Sequence, residues 1–169
     1  IAVMAFTRPY VMSRITTFIN PAQNTLGSGY QIQQSMIAIG SGGVTGRGFG
    51  QSIQKFSFLP EPIGDSIFAV YSEEFGFLGG IVLIALYIFF AFRGLKIAGR
   101  VPDSFGRLVV VGIVILITSQ AFINISSMVG VIPLSGVPLP FVSHGGTALF
   151  VNLLEIGIIL NISKSAKKT

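Results

Sequence analysis

An all-α polytopic membrane protein is the fold class this sequence predicts, on three observations. Only 10% of the 169 residues are charged while 51% are hydrophobic, and the mean hydropathy is +0.78. A soluble domain carries about 25% charged residues and could not cover its surface with so few. Three long apolar runs are almost free of charge, and the basic residues gather in alternate connections between them. Such hydrophobicity also excludes intrinsic disorder. The net charge of +5 reads as membrane orientation, with no nucleic-acid partner implied. With no cysteine there is neither a disulfide frame nor a thiolate metal site.

The elements follow in chain order. Ile1-Ala-Val-Met-Ala-Phe6 is apolar, lacks an initiator Met and a basic flank, and is too short for a signal peptide. It reads as the end of a transmembrane helix in a fragment, expected to be inactive alone. Residues 7–74 read as one large extracytoplasmic loop, too long for a plain connection. It holds an amide-rich stretch (Asn20-Pro-Ala-Gln-Asn24), a short helix over 31–39, a glycine run, and a helix over 65–74. Ile63, Ile67, Phe68 and Val70 suit a helix lying at the membrane surface.

Transmembrane helices are expected over 75–92, 108–129 and 147–162. The first has no charge in 18 residues, which at about 1.5 Å per residue just crosses a roughly 30 Å hydrocarbon core. Residues 93–107 carry Arg93, Lys96, Arg100 and Arg107 against Asp103, and residues 163–169 carry Lys164, Lys167 and Lys168. The connection from Gly130 to Gly146 has no Lys or Arg. The positive-inside rule places 93–107 and the C-terminal tail in the cytoplasm and the large loop outside.

Several residues could carry chemistry. The run Gly40-Ser-Gly-Gly-Val-Thr-Gly-Arg-Gly-Phe-Gly50 lets backbone approach a ligand, and its amides with Arg47 could cradle phosphate. The same glycines could equally serve a tight packing of loop on helix. Asp65 follows a proline-stiffened turn and precedes an apolar helix, so it suits an N-cap or a general base whose pKa is raised by apolar surroundings. Glu61, four residues earlier, allows a carboxylate pair or a divalent-ion site, although two carboxylates without a third ligand are a thin signal for a metal. Glu73 and Glu74 are expected at the mouth of the first span.

Glu155 is an acid deep in the third span, with Asn152 on its face, and an intramembrane acid is a functional hypothesis by default. Gln120, Asn124 and Ser127 form a polar stripe on the second span. Hydrogen bonds between these two stripes are the favoured reading, with a polar cavity wall as the other. His144, the only histidine, reads as a hydrogen-bonding loop residue, and one histidine completes neither a triad nor a metal site.

The motifs then resemble a known family. Ile39-Gly-Ser-Gly-Gly43, Gly46-x-Gly-x-Gly50, Leu59-Pro-Glu61, Asp65, Ile67-Phe-Ala-Val70, Glu73-Glu-x-Gly76, Gly136-Val-Pro-Leu-Pro-Phe-Val-Ser143, Gly145-Gly146 and Gly157-Ile-Ile-Leu-Asn-Ile-Ser163 come in the order seen in SEDS proteins. This group includes FtsW, RodA and SpoVE, and the Pro60-Glu61-Pro62 and Gly136–Ser143 strings look closer to the FtsW branch. Where members often have Thr-Asp-Phe this chain has Gly64-Asp65-Ser66, and where they often have Ser-Tyr-Gly-Gly it has Ser143-His144-Gly145-Gly146.

The resemblance implies a multi-pass protein of the bacterial cytoplasmic membrane, and a peptidoglycan glycosyltransferase that polymerises lipid II on the outer face. It implies Asp65 as the catalytic acid of the large loop, acting as general base with inversion at the donor anomeric carbon. Gly42, Gly43, Arg47, Lys55, Glu61, Ser143 and His144 are its substrate-binding candidates. Arg47, Lys55 or a divalent cation (Mg²⁺ or Mn²⁺, with Asp65 and Glu61 as candidate ligands) would neutralise the pyrophosphate leaving group. The implied partners are lipid II, polyprenyl-pyrophosphate-linked glycan, membrane lipid and a class B penicillin-binding protein transpeptidase. A lipid flippase, resting on Glu155 and the polar stripes, and a non-catalytic scaffold for a transpeptidase are the alternatives.

Overall fold

A computed structural model of the chain describes residues 9–19 and 27–165. The expected helix end at residues 1–6, the amide-rich stretch 20–24 and the basic pair Lys167 and Lys168 lie outside the described residues. The described residues form six helices: α1 (Pro9–Ile19), α2 (Ser28–Ser41), α3 (Gln54–Ser57), α4 (Ile67–Ala98), α5 (Ser104–Met128) and α6 (Gly146–Ser163). Three of them, α4, α5 and α6, are long and apolar enough to cross a membrane. These agree with the three expected spans, and α2 brackets the helix expected over 31–39.

Helix α1 lies where the sequence reads as loop. Pro9 opens it, at the helix position where a missing N–H costs nothing and the fixed φ is already helical. Asp65 is not the N-cap of α4. That place falls to Ser66, whose side chain makes no capping bond. Phe68 and Val70, expected at the membrane surface, are buried instead. Phe68 packs with Ile32, Ala121, Ile125 and Met128, and Val70 with Ala38, Leu59 and Ala69. The first turns of α4 are thus sandwiched between α2 and α5.

Helices α4 and α5 form the central pair. At their far end Gly94 lets them touch: a Cβ there would stand 2.4 Å from Val114 Cγ2. Small residues at such crossings let helix backbones approach closely inside a membrane. Asp103 caps α5, accepting from the Gly106 N–H at 2.7 Å. The α6 helix packs along α5 near Ile159 and presents most of its surface outward.

The connection from α5 to α6 is re-entrant. The Tyr87 hydroxyl donates to the Pro140 carbonyl at 2.6 Å, Gln120 Nε2 to Pro138 O at 3.2 Å and Asn124 Nδ2 to Val137 O at 2.7 Å. Asn124 and Gln120 lie about one and two turns inside the end of α5, so the carbonyls they hold sit roughly 6 and 12 Å below it. Irregular backbone is tolerated at such depth only where protein satisfies it. The three side chains do so, and Tyr87 is buried. Replacing Tyr87 by Phe leaves the Pro140 carbonyl without this donor, and should cost about 1–3 kcal/mol in a detergent unfolding titration.

The same bonds revise the expected pairing of polar stripes. Gln120 and Asn124 bond to the re-entrant connection, and Ser127 donates to the Asn124 carbonyl at 2.8 Å. None of the three bonds to Asn152 or Glu155. Periodicity finds a polar face but not what covers it. On the α6 side, Thr147, Asn152 and Glu155 line a cavity of about 300 Å³ with Gln120 and Leu116, which is the cavity-wall reading.

Candidate functional site

The turn over residues 60–66 carries Asp65 and is fixed from three directions. Asn124 Nδ2 of α5 donates to the Asp65 carbonyl at 2.9 Å. Gln31 Nε2 of α2 donates to Ser66 Oγ at 2.9 Å, and Ser66 Oγ donates to Pro60 O at 3.0 Å. The re-entrant connection supplies Ser143 Oγ to Gly64 O at 2.8 Å and the His144 N–H to Ile63 O at 2.8 Å. Ser143 Oγ also accepts from the Leu139 N–H at 2.8 Å. Each of these bonds uses backbone or a neighbour's side chain, and none uses the Asp65 carboxylate.

That carboxylate shares its space with a cation. A Cβ built on Gly136 would lie 3.4 Å from Arg14 Nη2 and 3.5 Å from Asp65 Oδ2. Arg14 comes from α1 and is itself anchored by Nη1 donating to the Leu134 carbonyl. Gly136 has φ +68, a backbone conformation that favours glycine, and its missing side chain leaves the gap. Burial pushes the Asp65 pKa above the ordinary carboxylate range, Glu61 pushes it further, and Arg14 pulls it back. Glu61 sits at φ 47 in the same turn and is exposed. A half-buried carboxyl of raised pKa beside a guanidinium can take a proton while the guanidinium meets an anion.

The glycine run is used differently from a phosphate cradle. Helix α4 breaks at Gly76, with φ 67 and ψ −166, which orphans carbonyls before the break and N–H groups after it. The run satisfies both sets. The Arg47 and Gly48 N–H groups donate to Glu73 O and Glu74 O, each at 3.0 Å, while Gly43 O and Val44 O accept from the Phe77 and Leu78 N–H groups at 2.9 and 3.1 Å. Contact is so close that a Cβ on Gly42 would stand 2.1 Å from Ser72 O, and one on Gly46 2.1 Å from Glu74 O. The tight-packing reading therefore describes this run.

The side chains follow the backbone. Glu73 and Glu74, expected at the mouth of the span, are buried. Glu73 accepts from Ser52 Oγ at 2.6 Å and from the Ile53 N–H at 3.1 Å, with Arg47 Nε 3.6 Å away. Glu74 holds Lys55 Nζ at 2.6 Å. Four of the candidates (Gly42, Gly43, Arg47 and Lys55) thus form a clamp on the helix break, about three turns along the chain from Asp65. Glu61, Ser143 and His144 gather at the Asp65 turn, although Ser143 acts there as a lock on the backbone. Arg14, Asn124 and Gly136 were missed. The one sequence signal for Arg14 is that it is the only charged residue between Pro9 and Ile19. Among the described residues no group of three or more His, Cys, Asp or Glu could hold a metal ion.

Known proteins resemble the chain along nearly its whole length. Residues 1–168 match the family model FTSW_RODA_SPOVE, described as a cell cycle protein. Stage V sporulation protein E of Bacillus subtilis strain 168 is 46% identical over 164 residues, covering 97% of this chain and 45% of the relative. A probable peptidoglycan glycosyltransferase FtsW of Thiomicrospira cyclica is 43% identical, covering 96% and 42%. The peptidoglycan glycosyltransferase MrdB of Escherichia coli K12 is also 43% identical, covering 94% and 43%. These identities lie in one narrow band, so they point to the family rather than to one branch of it. The chain spans less than half the length of these curated relatives. A solved structure described as "Structural coordination of polymerization and crosslinking by a peptidoglycan synthase complex" has a TM-score of 0.75 at 24% identity, covering 99% of this chain and 46% of that one. At that identity the likeness speaks for the fold alone.

Proposed function

The chain belongs to the FtsW/RodA/SpoVE family of multi-pass membrane proteins, and on that premise we propose that it carries the reacting carboxylate of a peptidoglycan glycosyltransferase. The substrate is lipid II, polymerised on the outer face of the cytoplasmic membrane, with the large loop outside and the C-terminus in the cytoplasm. One observation carries the reading: Asp65, raised in pKa, stands with Arg14 around the gap at Gly136, in a turn held by every neighbour without use of its carboxylate. Relatives named as peptidoglycan glycosyltransferases supply the reaction class.

In the proposed step an acceptor sugar hydroxyl attacks the anomeric carbon of a glycan carried on polyprenyl pyrophosphate. Asp65 takes the hydroxyl proton as the new C–O bond forms. The bond to pyrophosphate breaks on the opposite face, so the centre inverts. Arg14 stands beside Asp65 at Gly136, where a guanidinium can meet developing negative charge, whereas Arg47 and Lys55 lie with Glu73 and Glu74 at the helix break. A Mg²⁺ or Mn²⁺ ion fits only as a companion of the pyrophosphate: Glu61 and Asp65 offer two carboxylates, and such ions are often held by one or two carboxylates plus substrate phosphates. When bound it would neutralise leaving-group charge. A class B penicillin-binding protein transpeptidase is the proposed partner, consuming the polymer by crosslinking.

The pH dependence tests the base. Asp65 must be ionised to accept a proton, so the rate rises with pH through its pKa, above the ordinary carboxylate range. Glu61 raises that pKa and Arg14 lowers it. In a full-length family polypeptide carrying this sequence, Glu61→Gln should move the acid limb of kcat/KM to lower pH, and Arg14→Gln should move it to higher pH. An acid limb that neither substitution moves rules out Asp65 as the titrating base.

A further inference from the structure

The clamp on the helix break ends in an exposed aromatic tip that the glycosyltransferase reading leaves unused. Phe49 is 81% exposed. Its ring centroid lies 6.0 Å from that of Phe75, which stacks on Tyr71 at 4.7 Å. Phe75 adjoins the break at Gly76. From the break to Arg93, where the basic connection begins, the charge-free residues 77–92 run about 24 Å at about 1.5 Å per residue, against a hydrocarbon core of roughly 30 Å. The break therefore lies near one boundary of the apolar layer. Just inside it Phe77 and Leu78 are exposed apolar side chains of the span.

We infer that the loop tip at Phe49 inserts into the acyl–headgroup boundary of the surrounding leaflet and anchors the helix break at that depth. The backbone around the tip is suited to this. The N–H groups of Gly46, Arg47 and Gly48 and the carbonyls of Gly43 and Val44 are all hydrogen-bonded, so the segment can leave bulk water with those groups satisfied. Its charges are matched as well, Arg47 against Glu73 and Lys55 against Glu74. A neutral lipid surface is thus the fitting occupant, and anionic headgroups are not required. The apolar surface of the tip is continuous, through Phe75, with the exposed side chains of Phe77 and Leu78 on α4. Apolar side chains, phenylalanine among them, bury at this level of a bilayer in interfacial segments.

These 169 residues hold no tryptophan, so in a full-length family polypeptide carrying this sequence, with any tryptophan elsewhere replaced by phenylalanine, Phe49→Trp is a single reporter. That polypeptide is reconstituted in phosphatidylcholine vesicles brominated near the headgroup end or near the methyl end of the acyl chains. Ile115→Trp, on an exposed mid-span position away from the cavity beside Glu155, sets the quenching of an indole at mid-bilayer depth and shows that the chain has inserted. The expected result for Phe49→Trp is blue-shifted emission, quenched more by headgroup-end bromines, whereas Ile115→Trp responds more to methyl-end bromines. Adding phosphatidylglycerol should leave the Phe49→Trp quenching unchanged. Water-exposed emission without quenching overturns the inference. So does blue-shifted emission that neither bromine position quenches, which would mean that a protein surface covers the tip. Either failure leaves Asp65 and its proposed reaction untouched.

Discussion

Asp65→Asn is expected to cut lipid II polymerisation by about 10²–10⁴-fold, the range by which a positioned general base accelerates a reaction, and to leave the fold intact. The second half of that expectation is what separates a base from a structural carboxylate. The bonds that hold the turn run through the Asp65 carbonyl, the Gly64 carbonyl, the Ile63 carbonyl and the Ser66 hydroxyl. Asparagine keeps all of them and nearly the same volume. It also removes a carboxylate whose ionised form burial disfavours. Rates of glycan formation, measured in a full-length family polypeptide with the proposed transpeptidase partner, should collapse while detergent unfolding of the variant stays at the parent's midpoint. A loss of less than tenfold would remove Asp65 from the reaction. A lipid transporter would keep translocating after this substitution, so parallel measurement of translocation separates the two activities.

Arg14 and Asp65 show how much of the site the sequence could give. Asp65 is legible because its setting is local: proline, glycine, acid, then an apolar helix. Its neighbours are not. Asn124 lies 59 positions away, and Arg14 and Gly136 reach the carboxyl from either side of the chain. Nothing in a single sequence couples such positions. The three spans were legible for the opposite reason, since each is a continuous run whose charge-free length is its own signal. The glycine run falls between these cases. Its composition announces close backbone approach without saying to what. The partner is Gly76, in a helix whose hydropathy reads straight through the break. The polar stripe on α5 was visible as a face, but its partners are carbonyls of a proline-stiffened connection, and carbonyls leave no mark in a sequence.

Gly76→Ala is expected to have the largest effect on folding. At φ 67 and ψ −166 the residue occupies backbone space that is essentially glycine's alone, at a cost of about 1–3 kcal/mol for any other residue. A Cβ there would also stand 2.3 Å from Gly46 N and 2.6 Å from Val44 O. Both are backbone atoms of the clamp, so no side-chain rotation relieves the contact. The chain can respond in two ways. It can part the loop from the helix, giving up the bonds that join residues 43–48 to residues 73–78. Or it can straighten α4 through position 76, which expels the loop and strips buried Glu73 of the groups around it. Both routes uncover buried polar groups, and the strain and clash together should cost about 3 kcal/mol or more. A graded series checks the cause. Gly46→Ala, with φ +81 and a Cβ 2.1 Å from Glu74 O, should be as severe. Gly43→Ala, with φ +55 and nothing within 4 Å, should lose only about 1 kcal/mol. Gly112→Ala, inside α5 with open space around it, should gain up to about 1 kcal/mol from helix propensity. If Gly76→Ala unfolds at the same denaturant midpoint as Gly112→Ala, the break in α4 is not a designed joint. The ordering expected from the clamp puts Gly76 and Gly46 far below the other two, because only at those positions does the added methyl meet backbone.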